Sequence, residues 1–228
     1  MDYRAIIDQL LEAGRELAQK SQTAAEQRLD IPQQGPEREA SVQGLGKGAA
    51  LGGILALLLG TSAGRKITGP ALKLGSLAAL GGLAYQAYQN WQAQQGPGAA
   101  EPGAPIDRLS GPAAEQRSRG LLKAMIAAAK ADGHIDDNER ARIDEHVQKL
   151  GIDSALAAFL KEELAKPLDP QDVAAAADSP AAAAEIYLTS LLVIDEQNAE
   201  EAAYLRRLAE ALKLAPDLVE QISRQAKA

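Results

Sequence analysis

Ala131-Asp132-Gly133-His134-Ile135-Asp136-Asp137-Asn138-Glu139 is echoed later in the chain by Asp195-Glu196-Gln197-Asn198-Ala199-Glu200-Glu201. Each phrase follows an apolar pattern of helical period and opens another, so carboxylates collect where helices start. A shift of 62 residues lays Asp136 on Asn198, Glu139 on Glu201 and Ile143 on Leu205. It also lays Leu150 on Leu212, Ile152 on Leu214, Leu156 on Leu218 and Leu160 on Ile222. This reads as a duplicated three-helix unit whose two copies pack about a pseudo-two-fold axis. The expected fold is all-α, a bundle of about seven helices.

The helices follow from apolar spacing and punctuation. Leu121, Leu122, Met125, Ile126 and Ala129 make one stripe, and Ile143, Val147 and Leu150 make the next, which stops at Gly151. Ser154 opens a third helix with Leu156, Phe159, Leu160 and Leu164. Asp169-Pro170 and Ser179-Pro180 are both cap-then-proline starts, for a short Ala-rich helix and for a long one through Ile186, Tyr187, Leu191 and Leu192. The last two helices run over residues 199–213 and from 216 to about 225. Abundant Ala and Leu, few β-branched residues and almost no aromatics argue against strands.

The 228 residues carry a net charge of −7, which argues against a nucleic-acid partner, since phosphates call for a basic face. With no cysteine there is no disulfide frame, thiolate metal site or Cys nucleophile. Charge is uneven along the chain. Residues 1–43 hold eight acids and five bases, residues 44–95 hold four bases and no acid, and residues 96–228 hold 23 acids and 15 bases. Pro/Gly-rich stretches border the middle part. Four segments are expected: 1–43, an amphipathic helix and linker; 44–92, a Gly/Ala-rich membrane segment; 93–113, a Pro/Gly-rich linker; and 114–228, the helical domain.

Near the N terminus, Tyr3, Ile6, Ile7, Leu10, Ala13, Gly14 and Leu17 share one helical face. Its polar face mixes in Asp8, Glu12 and Glu16 rather than the Lys/Arg of a membrane-surface helix, so a partner helix is the expected contact. No secretory signal pattern follows.

Residues 48–64 contain no charge and centre on Leu51, Ile54, Leu55, Leu57, Leu58 and Leu59. At roughly −0.3 to −0.6 kcal/mol each, these six residues make insertion into a bilayer favourable but marginal. A run of this length sits at the short end for a bilayer core of about 30 Å. A second, weaker apolar run covers residues 74–88. Lys47, Arg65, Lys66 and Lys73 flank the first run, and Tyr85, Tyr88 and Trp91 fall where an interfacial belt belongs. Gly44, Gly48, Gly52, Ala56, Gly60 and Gly64 recur every fourth position, a small-residue stripe that lets helices approach closely. It fits packing on the second run as a hairpin or on another copy. Gly44-Leu45-Gly46-Lys47-Gly48-Ala49 imitates a dinucleotide fingerprint, but neither a buried strand before it nor a ribose-binding acid after it is present.

The acids admit two readings. Asp136 with Glu139, and Asn198 with Glu201, fit the N-cap and N3 positions of capping boxes. Alternatively Asp132, Asp136 and Glu139, joined by Asp195 and Glu200 of the second phrase, offer oxygen ligands to calcium or magnesium. An ordinary EF-hand is excluded, because Ala128 and Lys130 stand where its first acids belong. His134 and His146, the only histidines, read as hydrogen-bonding groups.

The run Ala127-Ala128-Ala129-Lys130-Ala131-Asp132-Gly133-His134-Ile135-Asp136 with Glu139, and Asp195-Glu196-Gln197-Asn198 with Glu201 through Ala209, resembles the TerB-like helical domain of tellurite resistance. Behind a Gly/Ala-rich apolar segment, over residues 44–225, it is similar to the YebE-like bacterial inner-membrane proteins. The resemblance implies an all-α domain, a metal site at Asp132, Asp136, Glu139, Asp195 and Glu201, and association with envelope or metal stress. It implies no established activity. Asn198 departs from the pattern, standing where the first phrase has an acid.

The sequence-level expectation is a membrane-anchored helical interaction or scaffold module of the bacterial inner membrane. Its acidic domain faces the cytoplasm and binds a protein partner or a second copy, with no small-molecule substrate. The alternative is a soluble oligomer joined through the small-residue stripe. An enzyme is not expected, because no nucleophile, base and orienting group, phosphate loop or His-rich cluster is present.

Overall fold

The computed structural model describes residues 3–5, 7–8, 76–95, 101–131, 154–194 and 199–227. Among them the chain forms α1 (Leu77–Gln95), a 3-10 turn (Ile106–Arg108), α2 (Gly111–Ala129) and α3 (Ser154–Ala165). It continues through α4 (Pro170–Ala174), α5 (Pro180–Val193), α6 (Ala199–Ala211) and α7 (Pro216–Lys227). No strand occurs among the described residues, as the composition requires.

Helix α5 is the axle. Its sequence, Pro-Ala-Ala-Ala-Ala-Glu-Ile-Tyr-Leu-Thr-Ser-Leu-Leu-Val, is apolar on every side, and Ala181 through Leu191 are all buried. Helices α1, α2, α6 and α7 pack around it. Both cap-then-proline starts are realised. The Asp169 carboxylate accepts the Gln171 N–H at 2.9 Å, and the Ser179 hydroxyl accepts the Ala182 N–H at 3.2 Å.

The 62-residue offset reappears in three dimensions. Helices α3 and α7 are related by it at both ends, 154 to 216 and 165 to 227. The positions they bury correspond: Leu156 with Leu218, Leu160 with Ile222, Leu164 with Ala226. Likewise Met125 and Ile126 of α2 correspond to Tyr187 and Leu188 of α5, and these two helices lie directly against each other. At the end of α6, Leu214 N–H bonds to Ala209 C=O and Lys213 N–H to Glu210 C=O, a Schellman closure with Lys213 at φ 55°. The residue 62 positions earlier is Gly151, the residue type that takes this conformation without steric cost.

Two expectations need correction. The second apolar run does not stand apart as a membrane leg. Leu77, Leu80, Gly81, Ala84, Ala87 and Tyr88 of α1 are buried against α5 and α7, so protein rather than lipid satisfies its apolar face. Gln95 at its C-terminal end bonds Asp217 at the start of α7 at 2.6 Å, which sets the two helices antiparallel. The boundary drawn between 44–92 and the linker 93–113 therefore falls within an integral helix of the bundle.

Nor are residues 101–109 of the expected linker loose. Pro102 C=O accepts the Ala181 N–H at 2.7 Å, and Ile106 is fully buried. Gly103, at φ 76°, lies so near Ser179 that an added Cβ would come within 2.8 Å of it. A Pro/Gly-rich stretch can be ordered when a neighbouring helix start supplies donors that need acceptors. No helix among the described residues is long and apolar enough to cross a membrane. Residues 48–64 and the whole small-residue stripe lie outside the described residues.

The N terminus docks on this bundle. Tyr3 stacks edge-on against Phe159 at 5.7 Å, and its N–H donates to Glu115 at 3.1 Å. Ile7 is buried, and the Asp8 carboxylate accepts the Leu77 N–H at 2.8 Å. The Ser76 hydroxyl accepts the Ala79 N–H, so two first-turn donors of α1 are satisfied, one of them by a residue 69 positions away. Burial of Ile7 contributes about 1.5–3 kcal/mol and the aromatic pair about 0.5–1.5 kcal/mol more.

Candidate functional site

The acidic helix starts are the site the sequence points to. Asp132, Asp136, Glu139 and Asp195 lie outside the described residues, as do Asn198, His134 and His146. Glu201 is described. It occupies the third position of α6, where the acid of a capping box belongs, and it is buried at 3% exposure and engaged within the fold. Its neighbour Glu200 is exposed and also engaged. Among the described residues no three Asp, Glu or His side chains converge as metal ligands. Glu201 thus holds the position in α6 that a capping acid would take, and the described residues do not assemble a cation site.

Beside Glu201 on α6 is Tyr204, wholly buried. Burial pushes its phenol up to about 12, with the Ser190 hydroxyl of α5 pulling weakly the other way. Ser190 lies in the last turn of α5 and Tyr204 in the second turn of α6, on either side of the second acidic phrase in sequence.

Lys130, which follows α2, donates its ammonium to the Glu163 C=O at 2.9 Å and to the Lys166 C=O. Those carbonyls belong to the end of α3, where a cation meets the negative pole of the helix. The motif residue Lys130 therefore ties the end of α2 to the end of α3. Around it lies a shallow cleft with Lys123, Lys166, Asp172 and Glu163. Its other two lysines are paired, Lys123 with Asp172 at 2.6 Å and Lys166 with Glu162 and Glu163 at 2.8 and 2.7 Å.

A second charged constellation was not anticipated. Arg117 of α2, 3% exposed, meets Glu185 of α5, 0% exposed, at 2.7 Å. The other end of its guanidinium reaches Asp178 and the Ser179 hydroxyl. Glu185 also accepts the Ile106 N–H at 2.7 Å. Burial raises the Glu185 carboxyl, while the Ile106 N–H and Arg117 oppose that shift. One node thus joins α2, α5, the 3-10 turn and the segment before α5. Gly81 of α1 leaves room for it, since a Cβ there would lie 2.6 Å from Ile106 Cγ2 and 3.2 Å from the Glu185 carboxylate.

The signal in the sequence was Glu185, the single charge in an otherwise apolar helix. A charge so placed needs a buried partner. Both its oxygens are used within the fold, so the node reads as structural and not as a substrate site.

Residues 44–226 match a family described as "Protein of unknown function (DUF533)". The chain is also similar to an uncharacterized protein in the ampR 5' region of Yersinia enterocolitica. The two are 34% identical over 116 residues, which is 50% of this chain and 84% of that protein. No solved structure matches the chain.

Proposed function

We propose, from the premise that the chain belongs to the DUF533 family, that it is a membrane-anchored helical interaction module and not an enzyme. The observation that carries this reading is where the family match starts. It opens at Gly44, just ahead of the charge-free run 48–64, and continues to Ala226, so run and bundle belong to one unit. An apolar run kept with a helical domain suits a tether. The resemblance to TerB-like domains and YebE-like inner-membrane proteins points the same way.

The bundle is the part that meets a partner. Arg65, Lys66 and Lys73 lie between the run and α1, which favours a cytoplasmic bundle in a bacterial inner membrane. The acids of the two phrases serve first as helix caps. A divalent cation bound through Asp132, Asp136, Glu139, Asp195 and Glu201 is the finer form of the proposal.

Carbonate extraction of membranes from cells making the full chain tests the anchor. Recovery in the membrane pellet supports it. A soluble oligomer instead would favour self-association through Gly44, Gly48, Gly52, Ala56, Gly60 and Gly64.

A further inference from the structure

The N-terminal residues meet the bundle as a ligand meets a receptor. Tyr3 lies edge-on to the Phe159 ring of α3 at 5.7 Å, and the Arg119 guanidinium of α2 sits 5.0 Å from the same ring. The Glu115 carboxylate of α2 accepts the Tyr3 N–H at 3.1 Å, and the Leu109 C=O accepts from the Arg4 guanidinium at 3.4 Å. Asp8, at the far end of the segment, accepts the Leu77 N–H at 2.8 Å. Between these polar ends Ile7 is 1% exposed.

The ends are complementary in sign. A carboxylate and a carbonyl of the bundle receive the Tyr3 N–H and the Arg4 cation, while the start of α1, where backbone N–H groups lack partners within the helix, receives the Asp8 anion. Residues 3–5 and 7–8 are helical. An apolar centre with acceptors at one end and a donor at the other selects the direction of a short helix as well as its composition. Among the described residues of the segment Ile7 alone is buried, and the polar contacts are only part-buried. So small an apolar contact with wet ends opens more readily than a core helix such as α5.

We propose that Leu109, Glu115, Phe159 and the start of α1 form a receptor for a short amphipathic helix, filled in cis by residues 3–8 and open in trans to the same segment of a second copy. The second copy is the occupant because it carries the sequence whose fit is displayed, with Tyr3, Arg4 and Asp8 each matched to a group of the bundle. A tethered segment competes at high effective concentration, so the receptor opens to a second copy when the chain's own segment is withdrawn. The receptor gives the interaction module of the proposed function its docking face and rests on that reading for its purpose; its contacts involve no lipid.

A fluorescein-labelled peptide of residues 1–17 is titrated with the full chain and followed by anisotropy. The chains are wild type, Ile7→Asp, and Ile7→Asp with Glu115→Lys. Ile7→Asp puts a charge at a buried position and so expels the chain's own segment. It should bind the peptide at least about tenfold more tightly than wild type, because the competitor in cis is gone. Glu115→Lys, which sets a cation against Arg4 of the peptide, should remove that gain. Arg4→Glu with Asp8→Lys in the chain reverses both polar ends, keeps Ile7 and should give the same gain by a second route.

Peptide binding by both release variants no tighter than by wild type overturns the receptor, and so does a gain that Glu115→Lys leaves intact. In a second titration the full chain with Glu115→Lys, whose own segment has lost its acceptor, replaces the peptide. Its association with the Ile7→Asp chain, read by sedimentation, supports the second copy as occupant. A peptide that binds while these two chains stay apart overturns that assignment. Peptide binding by a chain that carbonate strips from membranes upholds the receptor and counts against the anchor alone.

Discussion

The carboxylate of Asp8 accepts the backbone N–H of Leu77 at 2.8 Å, so the first turn of α1 is capped by a residue 69 positions earlier. This bond unites two parts of the chain that composition sets apart, the mixed-charge N terminus and the acid-free middle. It also places a negative charge at the positive end of a helix.

Loss of that bond leaves a first-turn N–H without its acceptor. Asp8→Ala should lower stability by about 1 kcal/mol, and Asp8→Asn, which keeps an acceptor but loses the charge, by less. Urea denaturation of the full chain, followed by helix signal, measures both.

Arg117 and Glu185 are desolvated together, so neither tolerates the loss of the other. Glu185→Ala or Arg117→Ala should cost about 3–5 kcal/mol by stranding a buried charge. The double replacement Arg117→Met with Glu185→Leu should recover most of that loss, because a buried pair is often no better than apolar side chains of similar volume. Urea denaturation of the four proteins measures the losses and the recovery.

Tyr204 makes the bundle sensitive to alkali. Burial lifts its phenol from the ordinary value of 10.0 to about 12. Its contribution is therefore complete below pH 10 and is lost as pH rises towards 12. That gap makes the loss a few kcal/mol in all, on the order of 1 kcal/mol for each pH step. Burial raises Tyr88 as well, so the comparison must be between wild type and Tyr204→Phe. The variant should lose stability less steeply over that window while staying within about 1 kcal/mol of wild type at neutral pH.

Glu201 separates the two uses of the acids. As a cap it should tolerate Gln, which also fits the third position of a capping box, whereas Ala should cost about 1 kcal/mol. As a cation ligand it would give wild type a calcium- or magnesium-dependent rise in melting temperature that Glu201→Gln abolishes. Capping alone predicts the first pattern and the cation form of the proposal the second, and thermal melts with and without each ion distinguish them.

Much of the bundle could be read from the sequence because helix signals are local. Ser179-Pro180 and Asp169-Pro170 are starts wherever they occur, and the 62-residue echo predicted matching burial at Leu156 and Leu218. What could not be read depended on contacts distant in sequence. An apolar helix such as Leu77–Gln95 looks the same whether lipid or protein will cover it, and only packing on α5 and α7 decides. The ordered stretch 101–109 owes its place to the start of α5, some 75 residues further along. Arg117 is one of several arginines near Glu115, and nothing local marks it as the partner of Glu185. At the acidic site the phrases were evident, but the buried position of Glu201 depends on α6 packing against α5 and α4.

The central claim is that the charge-free run 48–64 holds the bundle to a lipid surface. Flotation of the purified full chain with anionic phospholipid vesicles, beside a Leu57→Asp and Leu58→Asp variant, tests it most directly. The account predicts that the native chain rises with the vesicles while the variant, equally helical, stays at the bottom of the gradient. A native chain that stays at the bottom, or a variant that floats as well as the native chain, would contradict it.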